Sequence, residues 1–66
     1  MNVKINGKDE TVNNATNLLD LILSKKLCSE KIVVEHNFNI LPKEKWKEII
    51  LLENDSLEII SFVGGG

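Results

Sequence analysis

Arginine and tyrosine are absent from this 66-residue chain, and cysteine, histidine, proline and tryptophan occur once each. Each shortage excludes something. A single cysteine rules out an intrachain disulfide, so no covalent staple supports a domain of this size. Without arginine there is no bidentate phosphate clamp, and all eight cationic side chains are lysine. The net charge of −2 and the two phenylalanines give no basic patch with interleaved aromatics, which argues against nucleic-acid binding. No apolar run approaches the ~18 residues of a membrane span, and no signal-peptide pattern precedes the first strand. The expected location is cytoplasmic.

What remains is one small domain. A chain this short buries only about 60% of its unfolded surface, and the 42% apolar content, chiefly Ile, Leu and Val, suffices for one core. Residues 2–6 alternate, with Val3 and Ile5 on one side and Asn2, Lys4 and Asn6 on the other, as in a half-buried strand. Asn6-Gly7 follows, a type I′ hairpin signal because both turn positions need positive φ. The return strand is expected over Lys8 to Val12. After the Asn13–Thr16 turn, Thr16 or Asn17 is placed to cap a helix of about ten residues. Its buried stripe is Leu18, Leu21, Ile22 and Leu19, and Lys25-Lys26 fall in its last turn, where cations suit the dipole.

A third strand is expected over Lys31 to His36, then a turn at Asn37-Phe38-Asn39 and a short extended piece at Ile40-Leu41 that Pro42 halts. Lys43 to Trp46 reads as one helical turn, Ile49 to Leu52 as a brief extension, and Glu53-Asn54-Asp55 as a turn. Leu57 to Phe62 closes the pattern. A hairpin, one helix across a sheet and further strands is the α+β, ubiquitin-like β-grasp plan. It predicts a mixed four- to five-stranded sheet with first and last strands parallel at its centre. The domain is bounded as residues 1–63, and residues 64–66 as a Gly-Gly-Gly tail.

Few groups carry chemistry. His36 has no Cys, Ser or second His at ligand or triad spacing, which makes it structural or superficial. Cys28 follows Lys25 and Lys26, which favour a thiolate, but a lone cysteine is more often a small buried hydrophobe; a persulfide-accepting role is the alternative. The acidic residues, Asp55 and Glu58 among them, are scattered and read as solvated faces. No Gly-rich loop joins a strand to a helix, so there is no phosphate cradle. In the last strand Leu57 and Ile59 should face the core, leaving Ile60 and Phe62 outward with Val33 beside them. Single exposed apolar residues are ordinary; three together next to the terminus read as a docking surface, and with Val63 they form the expected partner-binding set. The glycines Gly64, Gly65 and Gly66 reach roughly 10 Å beyond the last strand when extended. They fit either a frayed end or a thin arm that enters a narrow channel.

The chain resembles the ThiS-type sulfur carriers of thiamine biosynthesis over its whole length. Asn6-Gly7, Ala15-Thr16 before a Leu-rich helix, and Asn37 after Ile32-Val33-Val34 fit that family. Leu41-Pro42-Lys43-Glu44-Lys45-Trp46 is similar to its Val-Pro-Arg-x-x-Trp segment, Asn54-Asp55 to its Asp-Gly-Asp turn, and Phe62-Val63-Gly64-Gly65-Gly66 to its terminus. Three departures stand out. Lys43 replaces a common arginine, the usual turn glycine before the Asp55-Ser56 step is missing, and Lys25 occupies a usually apolar position. The resemblance implies that the chain is not an enzyme but a protein co-substrate. A ThiF-type adenylating enzyme, using ATP and magnesium, would activate the Gly66 carboxylate. A sulfur donor such as a cysteine desulfurase would convert it to a thiocarboxylate, and a ThiG-type thiazole synthase would receive the sulfur. Gly64 and Gly65 would give clearance, and no cofactor would be bound by the chain itself. A MoaD-type carrier for molybdopterin synthesis, a ubiquitin-like modifier and a plain β-grasp interaction module are the competing readings.

Overall fold

At Asn6-Gly7 the backbone reverses with φ of 52° and 82°, both left-handed, as a type I′ turn demands. The computed structural model describes residues 1–62. Strands β1 (Asn2–Ile5) and β2 (Lys8–Thr11) flank the turn with Ile5 opposite Lys8 and Asn2 opposite Thr11. The pairing reaches past β2: the Val12 N–H donates to the Met1 carbonyl at 2.9 Å, and the Met1 ammonium to the Val12 carbonyl at 2.8 Å.

Asn17 caps the helix α1 (Leu18–Ser24), its Oδ1 accepting from the N–H groups of Leu19 at 2.8 Å and Asp20 at 3.4 Å. Thr16 instead turns its hydroxyl to the Asn13 carbonyl. The helix has seven residues rather than about ten. It stops because Lys26 adopts φ 58°, the left-handed conformation of a helix C-terminus that glycine usually takes. Lys25 and Lys26 therefore lie beyond the last turn, not in it. Lys25 reaches across to β2 and holds both Glu10 carboxylate oxygens at 2.9 Å.

Strands β3 (Ile32–His36), β4 (Asn39–Leu41) and β5 (Ser56–Ser61) complete a five-stranded sheet in the order β2-β1-β5-β3-β4. β1 and β5 run parallel at the centre, with Ile5 beside Leu57, and β5 is antiparallel to β3. This is the ubiquitin-like β-grasp arrangement. Between β4 and β5 the expected single turn is a longer 3₁₀ segment, Lys43–Glu48. It delivers Trp46 to the core, 1% exposed, with its indole N–H donating to the Leu41 carbonyl at 3.3 Å. The following extended stretch makes one isolated bridge, Ile50 with Asn17. The core is Val3, Ile5, Leu18, Leu21, Ile22, Ile32, Val34, Trp46, Leu51 and Leu57, with Leu19 and Ile59 packed at its margin.

One acidic residue does not lie on a solvated face. Asp55 is buried, and its Oδ2 accepts from the Leu52 N–H and lies 2.9 Å from His36 Nε2. Oδ1 accepts from Asn37 Nδ2 at 3.0 Å, while Asn37 Oδ1 accepts from the Ser56 N–H at 2.9 Å. The Asp55 carbonyl accepts from the Lys4 N–H. One carboxylate thus ties the β4–β5 connection to the β3–β4 turn, and its carbonyl to β1, at the start of β5. The geometry corrects the reading of Asp55 as solvated and gives His36 its structural role. Asn54 takes φ 69°, supplying the left-handed residue for which the turn usually uses glycine. Burial pushes the Asp55 carboxyl up, but hydrogen bonds from His36, Leu52 and Asn37 outweigh it and hold the group below the usual carboxylate range.

Because that value is lowered on folding, the contribution of Asp55 is complete above the unfolded carboxyl value of about 3.9 and disappears as pH falls through the folded value. Urea unfolding should show wild-type stability declining below about pH 4. Asp55→Asn should lose roughly 1–3 kcal/mol at pH 7 and show a flatter decline in acid; an equally steep decline would contradict the assignment. Asn17→Ala should cost about 1–2 kcal/mol, since the side chain caps α1 and also donates to the Lys47 carbonyl. Asn17→Ser, which keeps only the cap, should recover part of that loss in the same assay.

Candidate functional site

The exit end of β5 is built by an asparagine that the sequence marks only as a turn residue. β1 ends at Ile5, yet β5 runs on to Ser61. Asn6 fills the gap. Its N–H donates to the Leu57 carbonyl at 2.9 Å, its Oδ1 accepts from the Ile59 N–H at 2.7 Å, and its Nδ2 donates to the Ile59 carbonyl at 3.3 Å. A side-chain amide presents a donor and an acceptor much as a peptide group does, so it continues the ladder by one step. On the other side Phe62 is still anchored, its N–H donating to the Lys31 carbonyl at 3.0 Å. The chain is held up to the residue that precedes Val63.

Alternation along β5 sends Leu57 and Ile59 toward the helix and Glu58, Ile60 and Phe62 to the open face of the sheet. Leu57 is fully buried and Ile59 half-buried, whereas Ile60 is 48% and Phe62 53% exposed. Val33 stands directly opposite Ile60 and is half-buried. The structure thus brings Val33 and Ile60 together as cross-strand neighbours, with Phe62 one pleat beyond. The remaining residues singled out in the sequence, Val63, Gly64, Gly65 and Gly66, lie outside the described residues.

The face holds more than the sequence suggested. Ile40 on β4 is 67% exposed and pairs with Glu35, which in turn stands opposite Glu58. An acidic pair therefore lies in the row next to the Val33–Ile60 pair, with Ile40 at its β4 end. The strand alternation contained the signal, but the registers of β3 against β4 and β5 were needed to join these residues.

Cys28 is exposed, contrary to the expectation of a small buried hydrophobe. The left-handed turn at Lys26 and the 3₁₀ turn at Ser29–Lys31 bracket it, and Leu27 takes the inward position at the core margin. Among the described residues, no three His, Cys, Asp or Glu side chains converge to hold a metal ion. No helix there is long and apolar enough to cross a membrane.

The profile of the ThiS family matches residues 3–66. The sulfur carrier protein ThiS of Bacillus subtilis is 38% identical over 65 residues, covering 97% of this chain and 98% of that one. A thiazole synthase of Paramagnetospirillum magneticum is 32% identical across the whole of this chain, which spans 20% of that protein. The crystal structure of the thiamine biosynthesis protein ThiS from Geobacter metallireducens superposes with a TM-score of 0.83 at 33% identity, each chain covered completely. The profile match and the Bacillus relative, each nearly full length, agree with the sheet order and the site: this chain belongs to the ThiS family.

Proposed function

We propose that this protein is a sulfur carrier for thiazole formation in thiamine biosynthesis, with the Gly66 carboxylate as its reacting group. The observation that carries the reading is the joint placement of two features at one end of the central strand. β5 precedes the glycines in the chain, and the Val33–Ile60–Phe62 surface, with Ile60 and Phe62 exposed, lies beside its exit. A partner docked on that surface receives the following residues in its own active site. Membership of the ThiS family and similarity to the Bacillus sulfur carrier support the same conclusion.

The chemistry follows from the inertness of a carboxylate toward nucleophiles. An adenylating enzyme of the ThiF type would bind ATP and magnesium. The Gly66 carboxylate would attack the α-phosphorus, releasing pyrophosphate and forming an acyl adenylate. The terminal sulfur of a persulfide, carried by a donor such as a cysteine desulfurase, would then expel AMP. A thiol cleaves the resulting acyl disulfide and leaves the thiocarboxylate. In this scheme the protein is a co-substrate: it contributes docking and a terminus, and the partner supplies the catalytic groups. Gly64 and Gly65 add no side chain to the passage of Gly66 into a channel. A ThiG-type thiazole synthase is the proposed acceptor. The match of this chain to a fifth of a protein named thiazole synthase favours it over a molybdopterin pathway.

Incubation with the adenylating enzyme of the same organism, ATP, magnesium and a persulfide donor should raise the intact mass by the exchange of one oxygen for one sulfur. Isopeptide adducts would indicate a modifier, and an unchanged mass would contradict the carrier reading. Gly65→Val should leave the unfolding curve unaltered yet slow ATP–pyrophosphate exchange by at least about tenfold, because a β-branched side chain restricts both backbone and clearance.

A further inference from the structure

Directly opposed like charges destabilise a strand pair, and on an open sheet face they are easily avoided. Here Glu58 and Glu35 are exact cross-strand partners on β5 and β3. Glu35 is half-buried and Glu58 exposed. Neither joins an ion pair among the described residues. Lys4, the cation on the adjacent central strand, is committed to Asp9 at 3.0 Å. Along the strands Val33 and Ile60 flank the pair on one side and Asn37 and Ser56 on the other, and Ile40 stands opposite Glu35 on β4. Two carboxylates without a counter-charge among the described residues therefore border the apolar surface assigned to docking.

We propose that the adenylating enzyme which docks on this face lays a basic side chain, an arginine by preference, alongside the Val33–Ile60 pair, where it bridges Glu35 and Glu58. A guanidinium offers five N–H donors in a planar fork and can serve two carboxylates at once, which one ammonium does less well. Once the apolar rim is covered, water is excluded and the attraction is stronger than on an open surface. In the free protein the same pair opposes self-association of the apolar face, since stacking two copies would bring four carboxylates together. The acidic pair thus selects a cationic partner over a second copy of the chain. This inference rests on the carrier reading for the identity of the partner, but adds the charge that the partner must bring.

Calorimetric titration of the wild type and of the double variant Glu35→Gln/Glu58→Gln with the purified adenylating enzyme of the same organism, at low and high salt, tests it. The wild type should bind less tightly as salt rises. The double variant should be at least as resistant to urea as the wild type. It should bind at least about tenfold more weakly at low salt, with most of the salt dependence gone. Equal affinity and an equal salt slope for the two proteins would overturn the proposal while leaving the carrier reading intact. Self-association of the double variant with unchanged affinity would overturn it too, reducing the pair to a guard against aggregation. A wild-type protein that neither binds the enzyme nor gains sulfur would overturn both readings.

Discussion

The parallel pairing of β1 with β5 is the constraint on which the rest of the molecule depends. It joins the two ends of the sequence through the register Lys4–Ser56 and Ile5–Leu57. Parallel neighbours cannot be linked by a tight turn, so everything between them must form the crossover. The helix α1 covers the inner face of the sheet, and β3, β4 and the 3₁₀ segment fill the return path. The core records this arrangement: Val3, Ile5 and Leu57 from the central strands meet Leu18 and Ile22 from the helix, with Trp46 and Leu51 closing one side.

Two polar devices fix where that central pairing starts and stops. At its start, Asp55 gathers His36, Asn37 and the Leu52 N–H, so β5 begins at Ser56 with its register against β1 and β3 already set. At its far end, Asn6 replaces the missing continuation of β1 and holds Ile59 on both its N–H and its carbonyl. Together these contacts set the direction in which β5 leaves the sheet. A small core, with ten buried apolar residues among those described, tolerates little error in register. A slip of one residue would turn Ile60 inward and Leu57 outward.

What could be read from the sequence was local. The Asn6-Gly7 turn, the alternation of β1 and β5, and the Leu18–Leu21–Ile22 stripe each depend on neighbours within a few positions, and each formed as its pattern indicates. The helix terminus was harder, because Lys26 rather than a glycine adopts the left-handed conformation. Asp55 was harder again: its partners Asn37 and His36 lie 18 and 19 residues away, and only the sheet brings them together. The same holds for Glu35 and Glu58, whose opposition is a property of register and not of composition. Cys28 was misplaced because two adjacent residues competed for one inward position and the longer aliphatic side chain, Leu27, took it.

The central claim is that a partner engages this protein on the open sheet face beside the exit of β5. Amide chemical-shift mapping of the isotopically labelled chain, titrated with the adenylating enzyme of the same organism, addresses that claim most directly. The expected result is that the largest changes fall on Val33, Glu35, Glu58, Ile60 and Phe62, with α1 and β2 little affected. Changes concentrated on α1 and β2, with the β3–β5 face unperturbed, would contradict it.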